Sequence, residues 1–221
     1  MNALFALIAL ALVGIAAFVL RHRRDRGAIL LAVVALAVAY DDAVIAAGAS
    51  IGPGDVLFAL NVGRFALHVL VTPLLVVVAA LLLHRGGVRF LGERGAWAIY
   101  AALVLLGVAV TFVNFELVLQ TAHGVVRYVE PDPVPPLPAI ITVLVLLVAG
   151  FRWARAGGSR AMVLAALVMT VVSAMPQPTP PWPSNLGELV LLAGLAVAVR
   201  APRAATHATT SAKPQPTRSP A

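Results

Sequence analysis

Long apolar runs divide this chain, and they restrict what it can fold into more than any other feature does. A run of about 20 apolar residues matches the ~30 Å hydrocarbon core of a bilayer, where every backbone polar group must be satisfied internally. The chain is 61% hydrophobic and only 11% charged, whereas soluble domains are roughly 45–50% apolar and about 25% charged. The sequence therefore predicts an all-α bundle in a membrane.

We predict a single domain over residues 1–200 that contains seven transmembrane helices. The first run has no basic residue before it and is followed directly by "RHRRDR", so it is interpreted as a retained helix and not as a cleaved signal peptide. Residues 201–221 are small and polar and are predicted to form a disordered, basic cytoplasmic tail. The predicted spans are about 3–20, 28–48, 55–83, 96–120, 137–151, 161–175 and 186–200.

The basic residues predict the orientation of the bundle. All except Arg64 and Arg127 lie in alternate connections or in the tail. Because cytoplasmic connections carry an excess of Lys and Arg, the N-terminus is predicted outside and the C-terminus in the cytoplasm. We expect the protein to be integral to the bacterial inner (cytoplasmic) membrane, with lipids as partners and no nucleic acid. The connections concerned are 21–27, 84–95 and 152–160.

Two adjacent carboxylates interrupt the second run, in "AVAYDDAVIAA" at residues 37–47. A charged group at the bilayer centre costs about 2.5–3.5 kcal/mol on insertion scales, so each carboxylate needs a partner. Asp41 and Asp42 project about 100° apart on a helix. Both can therefore face protein only if this helix is well surrounded.

The third run carries one polar face. Its residues Asn61, Arg64, His68 and Thr72 are spaced 3, 4 and 4, which places them on one side of a helix. Pro73 follows directly, removes a backbone donor and predicts a kink beside His68.

The fourth run, extended outward, predicts a second polar face. Glu116, Gln120, His123 and Arg127 are spaced 4, 3 and 4, and Asn114 lies nearby. If the run continues as a helix, these side chains share one side of it.

Convergence of these faces would reduce the cost of burying the charges. We expect Arg64 to pair with Asp41 or Asp42, with His68, Asn114 and Glu116 nearby. Glu188, near the start of the last run, could close the ring. The simplest interpretation is structural: an Asp–Arg pair fixes two helices, and groups such as the Tyr40 hydroxyl only satisfy a neighbour.

The first functional hypothesis is a membrane-embedded enzyme acting on a lipid or isoprenoid-like substrate. Carboxylates and imidazoles are the groups that bind a divalent metal and activate water, or that run general acid–base chemistry without one. The candidate catalytic residues are Asp41, His68, Glu116 and Arg64. Of these, Asp41, His68 and Glu116 are the candidate ligands of a divalent metal cofactor. The candidate substrate or proton-relay residues are Asp42, Asn61, Asn114, His123 and Tyr40.

Two other hypotheses stay open. A kinked helix with Asp, Arg and His near mid-depth also fits a small proton-coupled transporter, for which a homo-oligomer could supply a second half. The third hypothesis overall is a scaffold or partner-binding subunit, in which the Asp–Arg pair is structural.

One stretch resembles a pattern in uncharacterised multi-pass proteins of bacteria and plastids. The stretch is "YDDAVIAAGASIG" followed by "RFALHVLVTPL", and it covers about a sixth of the chain. The pattern has Tyr-Asp-Asn, then an Arg, a His four residues later and a Thr-Pro. This chain departs from it at Asp42, where Asn is usual, so the resemblance implies that Asp41 matters more; it implies no activity. The matching residues are Tyr40, Asp41, Gly48, Arg64, His68, Thr72 and Pro73.

Overall fold

The computed structural model describes residues 1–22, 25–175 and 182–200, and these form a helical bundle with one small hairpin. The predicted tail, 201–221, lies outside the described residues. In chain order the elements are α1 (Asn2–His22), α2 (Arg26–Ile51), α3 (Asp55–Val71), α4 (Leu74–Arg85), α5 (Glu93–Phe112), β1 (Val118–Ala122), β2 (Val125–Val129), α6 (Leu137–Arg155), α7 (Ala161–Ser173) and α8 (Trp182–Arg200).

The long apolar runs do form helices. In the described part of the chain, six helical segments are long and apolar enough to cross a membrane, counting α3 and α4 as one segment of 31 residues. The helix α7 has 13 residues and is shorter than the others. The prediction of a helical bundle with several long apolar helices is thus confirmed.

The helix α2 is the centre of the bundle. It packs against α1, α3, α4 and α8 and also against β2. Between Gly27 and Gly48 its exposed residues are Ile29, Val33, Leu36 and Ala43, which form one narrow stripe. A helix that is apolar all round is expected in such a position. Asp42 is therefore carried into the interior, where it is fully buried.

Helix α3 ends where the sequence predicts a kink. The α-helix stops at Val71, and α4 begins at Leu74, so Thr72 and Pro73 separate the two segments. Proline cannot donate a backbone hydrogen bond, which accounts for an interruption at this position. The break lies one turn after His68.

The predicted fourth span, 96–120, is wrong in its last third, residues 113–120. Helix α5 ends at Phe112, and residues 118–129 form an antiparallel hairpin in which Gln120 pairs with Arg127. His123 and Gly124 both have positive φ angles and form the two-residue turn, as primed hairpin turns require. The shared helical face predicted for Glu116, Gln120, His123 and Arg127 therefore does not exist.

One end of the bundle, here called the arginine end, is tied by ion pairs and hydrogen bonds between elements. Arg85 at the end of α4 bonds Asp25, the N-cap residue of α2, at 2.7 Å, and it also donates to the carbonyl oxygen of Val199 in α8. Arg26 pairs with Glu93 at 3.1 Å. The opposite end carries the hairpin and is here called the hairpin end.

Candidate functional site

An ion pair between α2 and α3 forms the base of the site. Arg64 donates from Nε to Oδ1 of Asp41 at 2.6 Å and from Nη1 to Oδ1 of Asn61 at 2.7 Å. The side chains of Arg64 and Asp41 are only 10% and 18% exposed. Of the two aspartates that could pair with Arg64, the structure selects Asp41.

Asp42 points to a different helix. Its Oδ1 accepts a hydrogen bond from Nδ2 of Asn185 in α8 at 2.9 Å, and the same amide reaches Oδ2 of Asp41 at 3.4 Å. Oδ2 of Asp42 is buried and has no partner among the described residues. Asn185 thus links both carboxylates to the last described helix.

Sequence reasoning overlooked Asn185, although a signal was present. Asn185 and Glu188 are three residues apart at the start of α8 and so share a face, and both line the cavity beside Asp41. The expectation that Glu188 could close the ring agrees with this placement.

The polar face of α3 points into the same cavity. Arg64, His68 and Thr72 line it, together with Pro73 at the helix break. Asn61 lies behind them and is fully buried; its Nδ2 donates to the carbonyl oxygen of Leu57 at 2.7 Å. The spacing of 3, 4 and 4 residues therefore gave the correct side of the helix.

The hairpin end supplies two further charges, on Arg127 and Glu130, which both line the cavity. Arg127 donates from Nε and Nη2 to Oε1 of Gln120, at 3.3 and 3.1 Å. Burial, with a smaller contribution from the nearby Arg64, lowers the pKa of Arg127 to about 10, so its guanidinium remains cationic at neutral pH. Burial raises the pKa of the Glu130 carboxyl.

Close packing against α2 and α3 holds the hairpin in place. The amide of Tyr128 donates to Oδ1 of Asn61 at 3.3 Å, and its ring meets Phe58 edge-on at 5.3 Å. A Cβ at Gly48 would collide with the carbonyl oxygen of Val126. Glycine at position 48 therefore allows the strand to approach α2 closely enough for Arg127 to reach the cavity.

The cavity has two adjoining parts. The first, here called the polar chamber, has a volume of about 260 Å³ and contains the charged groups described above. The second, here called the apolar chamber, has a volume of about 340 Å³ and is lined mainly by aliphatic residues of α2, α6, α7 and α8, among them Val38, Val143, Val172 and Leu191. Both chambers are lined by His68, Thr72, Pro136, Ala139, Ser184 and Glu188, which mark their junction.

Of the nine predicted site residues, only Asp41, Arg64 and His68 line this cavity. Glu116, Asn114 and His123 are exposed, because the chain leaves the helix after Phe112 and they lie in the connection and the hairpin turn. Tyr40 is half-buried, and its hydroxyl donates to the carbonyl oxygen of Leu60 at 3.0 Å, so it satisfies a neighbour. The predicted roles of Glu116 as a catalytic carboxylate and of Asn114 and His123 as substrate or relay residues are wrong for this geometry.

The predicted metal site is not assembled. Within the described ranges, no group of three His, Cys, Asp or Glu side chains is placed to hold a metal ion. The predicted set of Asp41, His68 and Glu116 fails because Glu116 is exposed at the surface. The described residues therefore do not fit a divalent metal. The acid–base chemistry proposed for this site uses its side chains alone.

The junction holds the groups suited to proton transfer. The side chains of His68 and Glu188 make no hydrogen bond or ion pair to any described residue, and both residues line the two chambers. An imidazole and a carboxyl that face a cavity without protein partners are free to bond a ligand and to exchange a proton with it.

Comparison with known proteins adds no functional assignment to this geometry. No protein-family model, no curated protein and no solved structure matches this chain. The resemblance of residues 40–74 to uncharacterised multi-pass proteins therefore stays a prediction. The function is inferred below from the side chains and the two chambers.

Proposed function

We propose that the protein is a membrane-embedded enzyme that performs acid–base chemistry on an amphipathic, lipid- or isoprenoid-like molecule. The observation that carries this proposal is the junction, where His68 and Glu188 lie between a charged chamber and an aliphatic one. A ligand with a polar head and an apolar chain matches both chambers, because apolar pockets with a few converging polar groups are typical ligand sites.

The proposed roles follow from position. The head lies in the polar chamber beside the Asp41–Arg64 pair, and the chain lies against Val143 and Leu191 in the apolar chamber. The bond between head and chain then lies at the junction. There, water attacks the head as its bond to the chain breaks: one of His68 and Glu188 takes a proton from the water, and the other gives a proton to the leaving oxygen. Arg64 stabilises the negative charge that develops on the head. Asp41 keeps Arg64 in position through the 2.6 Å hydrogen bond.

We further propose seven spans, with the N-terminus outside the bacterial inner membrane. Arg152 near the end of α6 bonds the carbonyl oxygen of Arg89 at the arginine end, whereas Asn185 at the start of α8 bonds Asp42 in the site. The intervening chain must return across the bundle, and α7 packs against both α6 and α8. The chain has no cysteine, so Ser50→Cys and Arg94→Cys test this orientation directly. Labelling by an impermeant maleimide should occur from outside only at position 50, and labelling at position 94 instead would overturn the orientation.

The molecules that copurify with the protein test the enzymatic proposal. Native mass spectrometry of the full chain should show a bound amphipathic molecule in the wild type. His68→Asn and Glu188→Gln should accumulate a different bound species, because the unreacted substrate stays in the site. Ala139→Phe should lose the bound molecule, since Ala139 lines the junction of both chambers.

The matched control is Ala102→Phe, which places the same bulk at an exposed position of α5. If Ala139→Phe and Ala102→Phe retain the same bound molecules, the chambers are not the binding site. One identical bound species, in equal amounts in the wild type, His68→Asn and Glu188→Gln, would show that the protein binds or carries this molecule without transforming it. The proposed enzymatic function would then be wrong.

A further inference from the structure

Two arginines from different elements face the polar chamber. Arg64 comes from the middle of α3, and Arg127 comes from β2 of the hairpin. They are close enough that the charge of Arg64 acts on Arg127. Two guanidinium groups that line one partly buried cavity repel each other, and an anion bound in that cavity would relieve the repulsion.

Each guanidinium keeps one nitrogen unused. Arg64 uses Nε and Nη1, on Asp41 and Asn61, and Arg127 uses Nε and Nη2, on Gln120. Nη2 of Arg64 and Nη1 of Arg127 have no hydrogen-bond partner in the described part of the chain. Because the other nitrogens are tethered, both groups are held in place before a ligand arrives, which reduces the entropy lost on binding.

We infer that Arg64 and Arg127 hold the phosphate group of a lipid, whose chain extends into the apolar chamber. This inference rests on the proposed function and adds the class of the head group. Phosphate offers several oxygens that can accept from both guanidinium groups at once, and planar guanidinium groups suit such oxygens well.

The carboxylates around the chamber are compatible with a bound anion. The charge of Asp41 is offset by its hydrogen bond to Arg64. Glu130 lies in an environment that favours its neutral form. Glu188 lies at the junction with His68, where the proposed reaction needs a proton donor or acceptor next to the head group.

The test titrates the delipidated full-length protein in detergent with three probes and follows binding by native mass spectrometry. The probes are phosphatidic acid, diacylglycerol with the same acyl chains, and inorganic phosphate. We expect the wild type to bind phosphatidic acid at least about tenfold more tightly than diacylglycerol, since charge-assisted hydrogen bonds are the stronger class. Inorganic phosphate should compete with phosphatidic acid only at far higher concentration, because it lacks the acyl chains.

Substitutions of Arg127 test whether this arginine causes the preference for phosphatidic acid. Arg127→Gln should reduce the phosphatidic acid preference to about threefold or less and leave diacylglycerol binding unchanged, because only the charge is lost. Arg127→Lys should retain part of the preference, which separates lost charge from a disturbed hairpin. Arg94→Gln, at an exposed position outside the chambers, is the matched control and should behave as the wild type.

The outcomes separate this inference from the proposed function. Equal affinity of the wild type for phosphatidic acid and diacylglycerol, with both lost in Ala139→Phe, would overturn the phosphate inference and leave the lipid site in place. An unchanged preference in Arg127→Gln would also overturn the inference. Lipid binding that survives in Ala139→Phe would overturn the proposed site itself. Tight binding of inorganic phosphate without any preference for phosphatidic acid would assign the anion to a free phosphate and overturn the lipid source.

Discussion

Two aspartate–arginine pairs connect α2 to the α3–α4 segment, one at the arginine end and one beside the hairpin. Asp25 and Arg85 are 2.7 Å apart, and Asp41 and Arg64 are 2.6 Å apart. A cavity adjoins each pair, with a volume of about 240 Å³ at the arginine end and about 260 Å³ at the hairpin end. The chemistry of the pair and the presence of a cavity therefore do not distinguish the two ends.

The neighbours of each pair do distinguish them. At the arginine end, Asp25 also caps α2 by accepting from the amide of Ala28, and Arg85 also bonds Val199, so both side chains join helix ends. At the hairpin end, the pair is surrounded by groups that face a cavity without protein partners, namely His68, Glu130 and Glu188. The same ion pair thus closes the fold at one end and supports a candidate binding site at the other.

The largest expected effect comes from removing the arginine of each pair. Arg64→Gln leaves the partly buried Asp41 without its cation and should cost about 3 kcal/mol of stability, near the lower limit for buried pairs because the cavity admits solvent. Arg85→Gln should cost about 1 kcal/mol, since Asp25 is 42% exposed. Unfolding in mixed detergent micelles would measure both values.

The double variant Asp41→Asn/Arg64→Gln serves as the control for this comparison. It should recover most of the lost stability, because no unpaired charge remains, and it should bind phosphatidic acid no more tightly than diacylglycerol. Equal losses for Arg64→Gln and Arg85→Gln would show that the two pairs do not differ in the way described.

A glycine substitution should disturb the hairpin end alone. Gly48→Ala brings a methyl group against the backbone of Val126 and should cost about 1–3 kcal/mol, as overpacking does. It should also weaken the preference for phosphatidic acid, because Arg127 moves with the strand. Gly14→Ala has open space and should stabilise α1 by about 0.5–1 kcal/mol.

Limited proteolysis of the hairpin in detergent would measure the first effect, together with thermal unfolding of both variants. A Gly48→Ala protein whose hairpin resists protease as the wild type does would contradict the close approach of β2 to α2.

The smallest expected effect is the pH dependence due to Glu130. Burial raises its pKa above the usual value of 4.5, so the fold favours the protonated carboxyl. This penalty for ionisation is small at pH 4, below the usual value of 4.5, and fully present above the raised pKa. Glu130→Gln should therefore match the wild type at pH 4 and exceed its Tm by about 1 °C at pH 8.

Thermal unfolding at the two pH values would measure the Glu130 effect. Glu93→Gln, at an exposed position of the arginine end, is the matched control for loss of an acidic side chain. A gain in Tm for Glu130→Gln that is equal at pH 4 and pH 8 would show that ionisation of Glu130 is not its cause.

Apolar run length and residue spacing predicted much of this structure, because both are local properties. They predicted the long helices, the polar face of α3 and the break at Pro73. They could not select Asp41 over Asp42 as the partner of Arg64, since the two project about 100° apart and the choice depends on where α3 and α8 pack.

The missed elements depended on contacts made elsewhere in the chain. The apolar run continues beyond Phe112, but the β-branched residues on both sides of His123–Gly124 favour a hairpin, which is then stabilised by Asn61 and by space at Gly48. The predicted metal site needed Glu116 as its third ligand, on a helix that continued past Phe112. Because that part of the helix is not formed, Glu116 does not reach the other two ligands. The hairpin replaces the end of the predicted helix. It leaves Glu116 outside the cavity and brings Arg127 and Glu130 to it.

The bond between Asn185 and Asp42 has a consequence for biosynthesis. Ribosomes deliver the chain from its N-terminus, so α2 and α3 are made well before α8. Asp41 meets its cation only 23 positions later, whereas Asp42 must wait 143 positions for the Asn185 amide. A nascent chain that stalls before α8 therefore carries a carboxyl group with no partner in its interior. An unpartnered carboxyl group in the interior should make such a truncated chain less stable than the full-length chain.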